Sequence, residues 1–416
     1  MGQAPDGGLY MPEKYHAIND KIYSSSKGLS YSKVAFEVLG TLLDDDFPSY
    51  ELSQICQKAY PFSPNLADID ESTQVLELFH GPTLSFKDFG ARFMAKAMGY
   101  YMQQEDQELT ILVATSGDTG SAVAHAYHNV EGIRIVLLYP SGKVSHLQEK
   151  QLTTLGDNVV ALEVQGAFDD CQALVKKAFS DVELNQKRRF SSANSINIGR
   201  LLPQSVYYHW AVAHCSVNTT RDPLVCVPSG NFGNLTAGLF AGRMGMPVTR
   251  YIAAVNANAF IPDYLDTGRY EPRLSVRTLS NAMDVGNPSN WERIRDLYND
   301  DYNVIKHHIW STSVDDKSTK EAMKRTFEYN GYIADPHTCV GLEAIRRFKS
   351  TFGNFQGYPS IVLSTAHPGK FNEIVEDVLH RKFQLPKPLR DCLEKPKLAV
   401  PIPGDYAVFK EFLWEL

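Results

Sequence analysis

From about residue 108 the chain alternates apolar runs with helical stretches. Residues 109–114 (LTILVA), 133–139 (IRIVLLY) and 159–164 are nearly unbroken aliphatic runs, and 120–128, 145–155 and 168–179 between and after them read as helices. Strands that are apolar at successive positions have both faces covered, as in a parallel sheet between helical layers. The rhythm resumes with a short strand at 224–227, a Gly/Asn loop, a helix to about 244 and a strand at 250–255. A last buried strand at 360–364 (SIVLS) runs into Thr365-Ala366-His367, and residues 198–214 read as helix. The pattern predicts an α/β fold with two open twisted-sheet domains flanked by helices. Residues 1–75 lack the rhythm, carry helical fragments such as 32–43, and are expected to form a separate, smaller N-terminal region. The rest divides into a large domain from 76–107 and 200–416 and a smaller, mobile α/β domain at 108–199. The prolines between 382 and 403 predict a C-terminal segment that wraps over the surface.

At 416 residues, 43% hydrophobic and 21% charged, the chain is too long for one core, so several domains are expected. The net charge of −7 gives no support for a nucleic-acid partner, and Lys187-Arg188-Arg189 reads as a solvated helix end. No run reaches the roughly 18 apolar residues of a membrane span, and the N-terminus carries no signal pattern. Six cysteines, none in a CxxC pair, read as reduced thiols of a cytoplasmic protein. His125 and His128 have no third ligand nearby in sequence, so no metal site is predicted.

Four segments carry candidate chemistry. In LFHGPTLSFKDFG, a Gly81-Pro82 turn precedes a helix from Asp88, with Lys87 at its mouth beside Phe86 and Phe89. An apolar setting favours the neutral, nucleophilic amine, although a surface lysine at a helix start has the same local sequence. Thr115-Ser116-Gly117-Asp118-Thr119-Gly120 lies between strand and helix, where backbone N–H groups can meet an anion. The same residues serve equally as a tight turn with Asp118 or Thr119 capping. Their glycine spacing is not that of a dinucleotide loop, and no Walker A motif occurs. Ser229-Gly230-Asn231-Phe232-Gly233-Asn234 repeats the arrangement, with a phosphate as natural guest. Two such loops at the ends of parallel strands mark the usual ligand edge of an open α/β sheet. Thr365 follows another buried strand, where its hydroxyl can bond a ligand or simply close a turn; a packed histidine is expected at His367.

Together with SHLQEK, DDCQALVKKAF, SANSINIGRLL, TLSNAMDVGNPSNW and TAHPGKF, these segments resemble bacterial-type threonine synthases. Those are pyridoxal-phosphate enzymes of the tryptophan-synthase-like fold, fold type II. The resemblance extends from Gly8 to the C-terminal region, and SANSINI and LSNAMDV are specific to the family rather than to the fold. It implies that Lys87 bonds the cofactor covalently and that Ser229, Gly230, Asn231, Phe232, Gly233 and Asn234 hold its phosphate. It further implies that Thr365 meets the pyridine nitrogen, and that Ser116, Gly117, Asp118, Thr119 and Gly120 lie by the substrate carboxylate and the ring. Asn194, Ser195, Asn197 and Arg200 are expected to line the substrate phosphate site; for Arg200 the alternative is a pairing within its own helix. The implied substrate is O-phosphohomoserine, converted with water to threonine and phosphate by a monomer or homodimer, with the domain of 76–107 and 200–416 binding the cofactor. Asp118 stands where the wider fold often has asparagine, so it is expected to share a proton with the ring hydroxyl oxygen unless it only caps its helix. In the family a longer segment usually precedes the GGLYMP turn, so either the start is internal to the natural gene or the leading segment is shorter here. The competing readings are a serine or threonine dehydratase, which would need no second phosphate site, a non-catalytic sensor, which intact Lys87 and both loops argue against, and a nicotinamide oxidoreductase, which the glycine spacing weakens.

Overall fold

The computed structural model describes residues 4, 6–25, 28–217 and 220–416. Its strands are β1 Asn65–Asp70, β2 Thr73–Glu77, β3 Leu109–Ala114, β4 Ile133–Pro140, β5 Val159–Gln165 and β6 Arg189–Ser192. They continue with β7 Leu224–Pro228, β8 Arg250–Val255, β9 Ile309–Ser313, β10 Ser360–Ser364 and β11 Ala399–Pro403. The chain packs as two units, one of residues 1–10, 87–200 and 385–416, the other of residues 11–86 and 201–384.

The first unit holds a sheet in the order β11-β5-β4-β3-β6, every pair parallel. Side chains alternate across it. Ile111 and Val113 enter a core with Ala91, Met94 and Ala95 of helix Lys87–Met102 and Ala122, Val123 and Ala126 of helix Asp118–Tyr127. Leu112 points the other way, into a core with Cys171, Leu174, Leu184, Phe409 and Leu413. That two-sided burial is why these strands are apolar throughout.

The second unit holds the order β1-β2-β10-β7-β8-β9, parallel except for the β1–β2 hairpin at its edge. Helix Pro336–Thr351 covers one face; its Cys339, Val340 and Phe348 share a core with Val75, Cys226, Ile252 and Val362. β10 and β7 are neighbours in parallel register, so Thr365 and the loop after Pro228 leave the sheet side by side at its C-terminal edge.

The units divide the chain at points other than those the pattern suggests. Residues 11–75 belong to the second unit: helix Tyr31–Leu43 buries Val34, Val38 and Leu39 and packs on helix Ser205–His214, while β1 and β2 complete the large sheet. Helix Lys87–Met102 belongs to the first unit because its alanines and methionines fill that core. The C-terminal segment does run largely exposed, but it is ordered as the helix Lys387–Glu394 and β11 rather than as an irregular wrap. β11 pairs in parallel with β5 as an edge strand, a position that tolerates Pro401 and Pro403 because one side of the strand needs no N–H donors. The helix expected at 198–214 is broken by a 3-10 turn at Leu202–Gln204, where Pro203 removes a donor. Lys187 does end a helix, but Arg189 opens β6 and pairs with Glu105 at 2.6 Å.

Candidate active site

Lys87 is the first residue of its helix, and the chain passes from the second unit to the first between Phe86 and Lys87. The approach to it is tightly held. Ser85 bridges Ala366, the Phe86 N–H donates to the Thr365 carbonyl at 2.9 Å, and Lys370 Nζ donates to the Thr83 carbonyl. Leu84 sits at φ 58°, a left-handed conformation that costs a branched residue energy and that the surrounding bonds impose. Within the first unit Lys87 Nζ stands 3.6 Å from Asp118 Oδ2, with side chains only 14% and 6% exposed. Phe89 beside it is buried.

Asp118 opens helix Asp118–Tyr127 but does not cap it: the capping position is Gly117, and its side chain turns toward Lys87 and Gln148 instead. Gln148 Nε2 donates to Asp118 Oδ1 at 3.4 Å, and Gln148 is itself locked in a capping box with Ser145. Gly117 has φ 145°, and a Cβ there would lie 2.7 Å from the Gln148 amide, so only glycine fits. The Thr115 hydroxyl accepts from the N–H groups of Gly117 at 3.0 Å and Gly120 at 2.9 Å and so shapes the loop from below. Ser116 is exposed and Thr119 half-buried on the same turn. Thr115 and Gln148 were not among the expected site residues; the S-x-x-Q spacing of Ser145-His146-Leu147-Gln148 was the available signal for the second.

The SANSINIGR segment divides. Asn197 is buried, with Nδ2 donating to the Ser192 carbonyl and Oδ1 accepting from the Gly199 N–H. Arg200 is buried too, its guanidinium donating to the Ala193 carbonyl at 2.7 Å, and burial lowers its pKa to about 10. Both brace the turn after β6. Asn194 is half-buried and Ser195 exposed, so these two are the members of the set with access to solvent.

In the second unit the loop after β7 is anchored by the Ser229 N–H on the Ala254 carbonyl and by Ser229 Oγ on the Val227 carbonyl. A Cβ on Gly230 would fall 2.6 Å from Met283 Cα. Phe232, not Gly233, takes the left-handed turn, at φ 61°, and Gly233 starts the helix Gly233–Arg243. Asn231 Oδ1 accepts from the Ser289 N–H, and Asn234 is buried below the loop. Thr365 is buried at the end of β10. His367 packs edge-on against Phe79 and accepts from the Gly369 N–H; burial lowers its pKa to about 4.

Residues 74–357 match the family model of pyridoxal-phosphate dependent enzymes, 1–60 that of the threonine synthase N terminus, and 338–413 that of the threonine synthase C-terminal region. The threonine synthase of Haemophilus influenzae is 41% identical over 99% of this chain and 95% of its own length. This chain belongs to the threonine synthase family. The crystal structure of threonine synthase from Escherichia coli matches with a TM-score of 0.89 at 40% identity, covering all of this chain and 95% of that one. A pyridoxal-phosphate-bound threonine synthase from Brucella melitensis matches with a TM-score of 0.93 at 32% identity, covering all of this chain and 94% of that one. The fold is accordingly that of the type II pyridoxal-phosphate enzymes, and among the described residues no helix is long and apolar enough to cross a membrane.

The residues present suit the threonine synthase cofactor. Asn234 Oδ1 lies 2.7 Å from the hydroxyls of both Tyr207 and Tyr208, which leaves its buried Nδ2 as a donor with no acceptor among the described residues. A donor in that condition at the start of a helix fits a phosphate oxygen. Lys87 supplies a sheltered primary amine, as a covalently held aldehyde requires.

Proposed function

We propose that this threonine synthase family member converts O-phosphohomoserine and water to threonine and phosphate, with Lys87 Nζ holding pyridoxal phosphate. The observation that carries the reading is the sheltered Lys87–Asp118 pair at 3.6 Å at a helix mouth. When bound, the cofactor spreads the negative charge left as an amino acid loses its Cα proton. The N–H groups of Gly230–Asn234 and Asn234 Nδ2 would take its phosphate, and the Thr365 hydroxyl its ring nitrogen. The N–H groups of the Ser116–Gly120 loop would bind the substrate carboxylate, and Asn194 and Ser195 its phosphate. Released from the cofactor, Lys87 Nζ would take protons from Cα and Cβ and deliver protons to Cγ and Cα. The Cγ–O bond breaks and phosphate leaves. Water supplies the hydroxyl at Cβ, and a proton reaches Cγ to complete the methyl group. Asp118 would keep a compensating charge beside Lys87, and Gln148 would hold Asp118 in place. The reading places this work in the cytoplasm, where free thiols such as these cysteines persist, and in a monomer or homodimer.

Borohydride reduction of the holoenzyme followed by peptide mapping tests the assignment. The pyridoxyl group is expected on Lys87, and its recovery on another lysine refutes the reading. Asn234→Asp keeps an oxygen for the tyrosines but turns the free donor into an anionic acceptor, and should weaken cofactor binding at least about ten-fold. Turnover of serine with none of O-phosphohomoserine would assign the site to a dehydratase instead.

A further inference from the structure

The loop carrying LSNAMDV has no role in the reading so far, yet it backs the phosphate cradle. The backbone of Met283 passes so near Gly230 that a Cβ there would lie 2.6 Å from its Cα and 3.1 Å from its carbonyl carbon. The Ala282 N–H donates to His337 Nε2 at 3.2 Å, and His337 Nδ1 is 2.6 Å from Asp335 Oδ2. Both side chains are buried, at 0% exposure for Asp335 and 3% for His337. A backbone amide can only donate, so Nε2 is an acceptor. The proton of the neutral ring therefore sits on Nδ1 and is given to Asp335.

The other oxygen of Asp335 serves a second arm. Oδ1 accepts from the Thr338 N–H at 3.1 Å and from the Thr338 hydroxyl. Thr338 Oγ1 is also 2.7 Å from Ser364 Oγ, the residue before Thr365. A hydroxyl has one proton and the carboxylate takes it from Thr338, so Ser364 must be the donor to Thr338. A helix cap alone explains the two N–H bonds that Asp335 accepts, from Thr338 and, on Oδ2, from His337 at 3.1 Å. It does not explain the oriented imidazole or the chain of hydroxyls.

We infer that Asp335 is a positioning residue shared by both ends of the cofactor cradle. Through His337 it fixes the 282–283 backbone behind Gly230, and through Thr338 it fixes the strand end that carries Thr365. The inference rests on the reading that the 229–234 loop and Thr365 hold the cofactor.

Asp335→Asn separates positioning from capping. Asparagine keeps the shape and one capping oxygen but offers one acceptor where aspartate offers two. With its oxygen toward Thr338, its NH2 group faces His337 Nδ1 and drives the ring proton to Nε2, against the Ala282 N–H. With its oxygen toward His337, its NH2 group faces the Thr338 donors. One arm breaks either way. The full-length apoprotein is titrated with pyridoxal phosphate by visible absorption, with thermal unfolding of the apoprotein measured in parallel. Asp335→Asn should weaken binding about ten-fold or more. His337→Gln, whose amide oxygen can stand where Nε2 stood, should retain more affinity than His337→Phe. Binding by Asp335→Asn and His337→Phe within about two-fold of the parent, with only the unfolding temperature lowered, would leave Asp335 a cap and overturn the inference. If Asp335→Asn does not fold, the two His337 variants decide, and equal affinities reject it. Asn234→Asp serves as the control for the cradle. Unchanged affinity there refutes the loop assignment itself, whereas weakened affinity there beside a normal Asp335→Asn refutes only the positioning role.

Discussion

Thr115→Val probes how the loop at Ser116–Gly120 is held. Valine matches threonine in shape and β-branching, so the end of β3 keeps its packing. What disappears is one oxygen that accepts from Gly117 N–H at 3.0 Å and Gly120 N–H at 2.9 Å, at a residue 2% exposed. Each buried amide left without an acceptor costs about 1–3 kcal/mol, so the pair sets a range of roughly 2–6 kcal/mol. Ser116 beside them is exposed, and water entering there would relieve one of the two. The expected loss is therefore about 2 kcal/mol, concentrated in the loop. Hydrogen exchange at Gly117 and Gly120 should accelerate about thirty-fold, since 1.4 kcal/mol is a factor of ten. Because the loop is assigned to the substrate carboxylate, KM for O-phosphohomoserine should rise by a similar factor while cofactor affinity stays within about two-fold. Unchanged exchange at both glycines would show that the hydroxyl does not hold the loop. Faster exchange with an unchanged KM would show that the loop does not hold the substrate.

Asp118→Asn removes the charge facing Lys87 while an amide oxygen can still accept from Gln148. It should lower kcat/KM at least about ten-fold, leave borohydride labelling on Lys87, and move the pH at which the visible band of the bound cofactor changes; an identical titration in both proteins would remove Asp118 from the proton inventory. Glu343 is governed by opposing causes: burial pushes its carboxyl up, but hydrogen bonds from Arg346, Arg347 and Arg325 outweigh this and hold it at about 2. A depressed value means its stabilisation is full above the ordinary carboxylate value of 4.5 and is lost as the pH falls through about 2. Glu343→Gln should therefore cost about 2 kcal/mol at neutral pH, with the gap to the parent closing on acidification; a gap in thermal unfolding that is the same at pH 7 and pH 3 would contradict this.

The parallel strands were legible because burial on both faces writes itself into each of them. Leu109–Ala114 and Ser360–Ser364 are strands with the expected bounds. Of the five described strands not expected from the sequence, β2 (TQVLE) is buried but carries Thr and Gln in place of an aliphatic run, β9 (IWSTS) is only partly buried, and the other three lack that signature. β1 (NLADID) is a largely exposed edge strand, and β6 (RFSS) is four residues long beside a basic cluster. β11 carries Pro401 and Pro403, which argue against a strand until the sheet order shows that it lies at an edge. The unit boundaries were obscured for a related reason. A helix is assigned to a core by the partners it packs on, and the partners of Lys87–Met102 lie along β3 and helix Asp118–Tyr127, later in the chain.

The candidate site divides along the same line. Lys87, the SGDTG turn and the SGNFGN loop are local events, each a short segment whose residue types fit one backbone path. What holds them is non-local. Gln148 reaches Asp118 from another helix, Tyr207 and Tyr208 orient Asn234 from across the helix pair, and His337 reaches Ala282 from a helix that begins more than fifty positions later. Arg200 shows the converse. Its residue type and motif suggest a phosphate ligand, yet it is buried and bonds the carbonyl of Ala193, seven residues back, inside the turn it shapes. A motif therefore shows where a ligand can meet the chain. Which side chains meet it depends also on the bonds already made: among the described residues Asn234 Nδ2 has no acceptor, while both polar atoms of the Asn197 amide are bonded within the turn. On that ground, substrate phosphate specificity should respond more to Asn194 and Ser195, which reach solvent, than to Asn197, whose replacement would first be felt as a loosened turn.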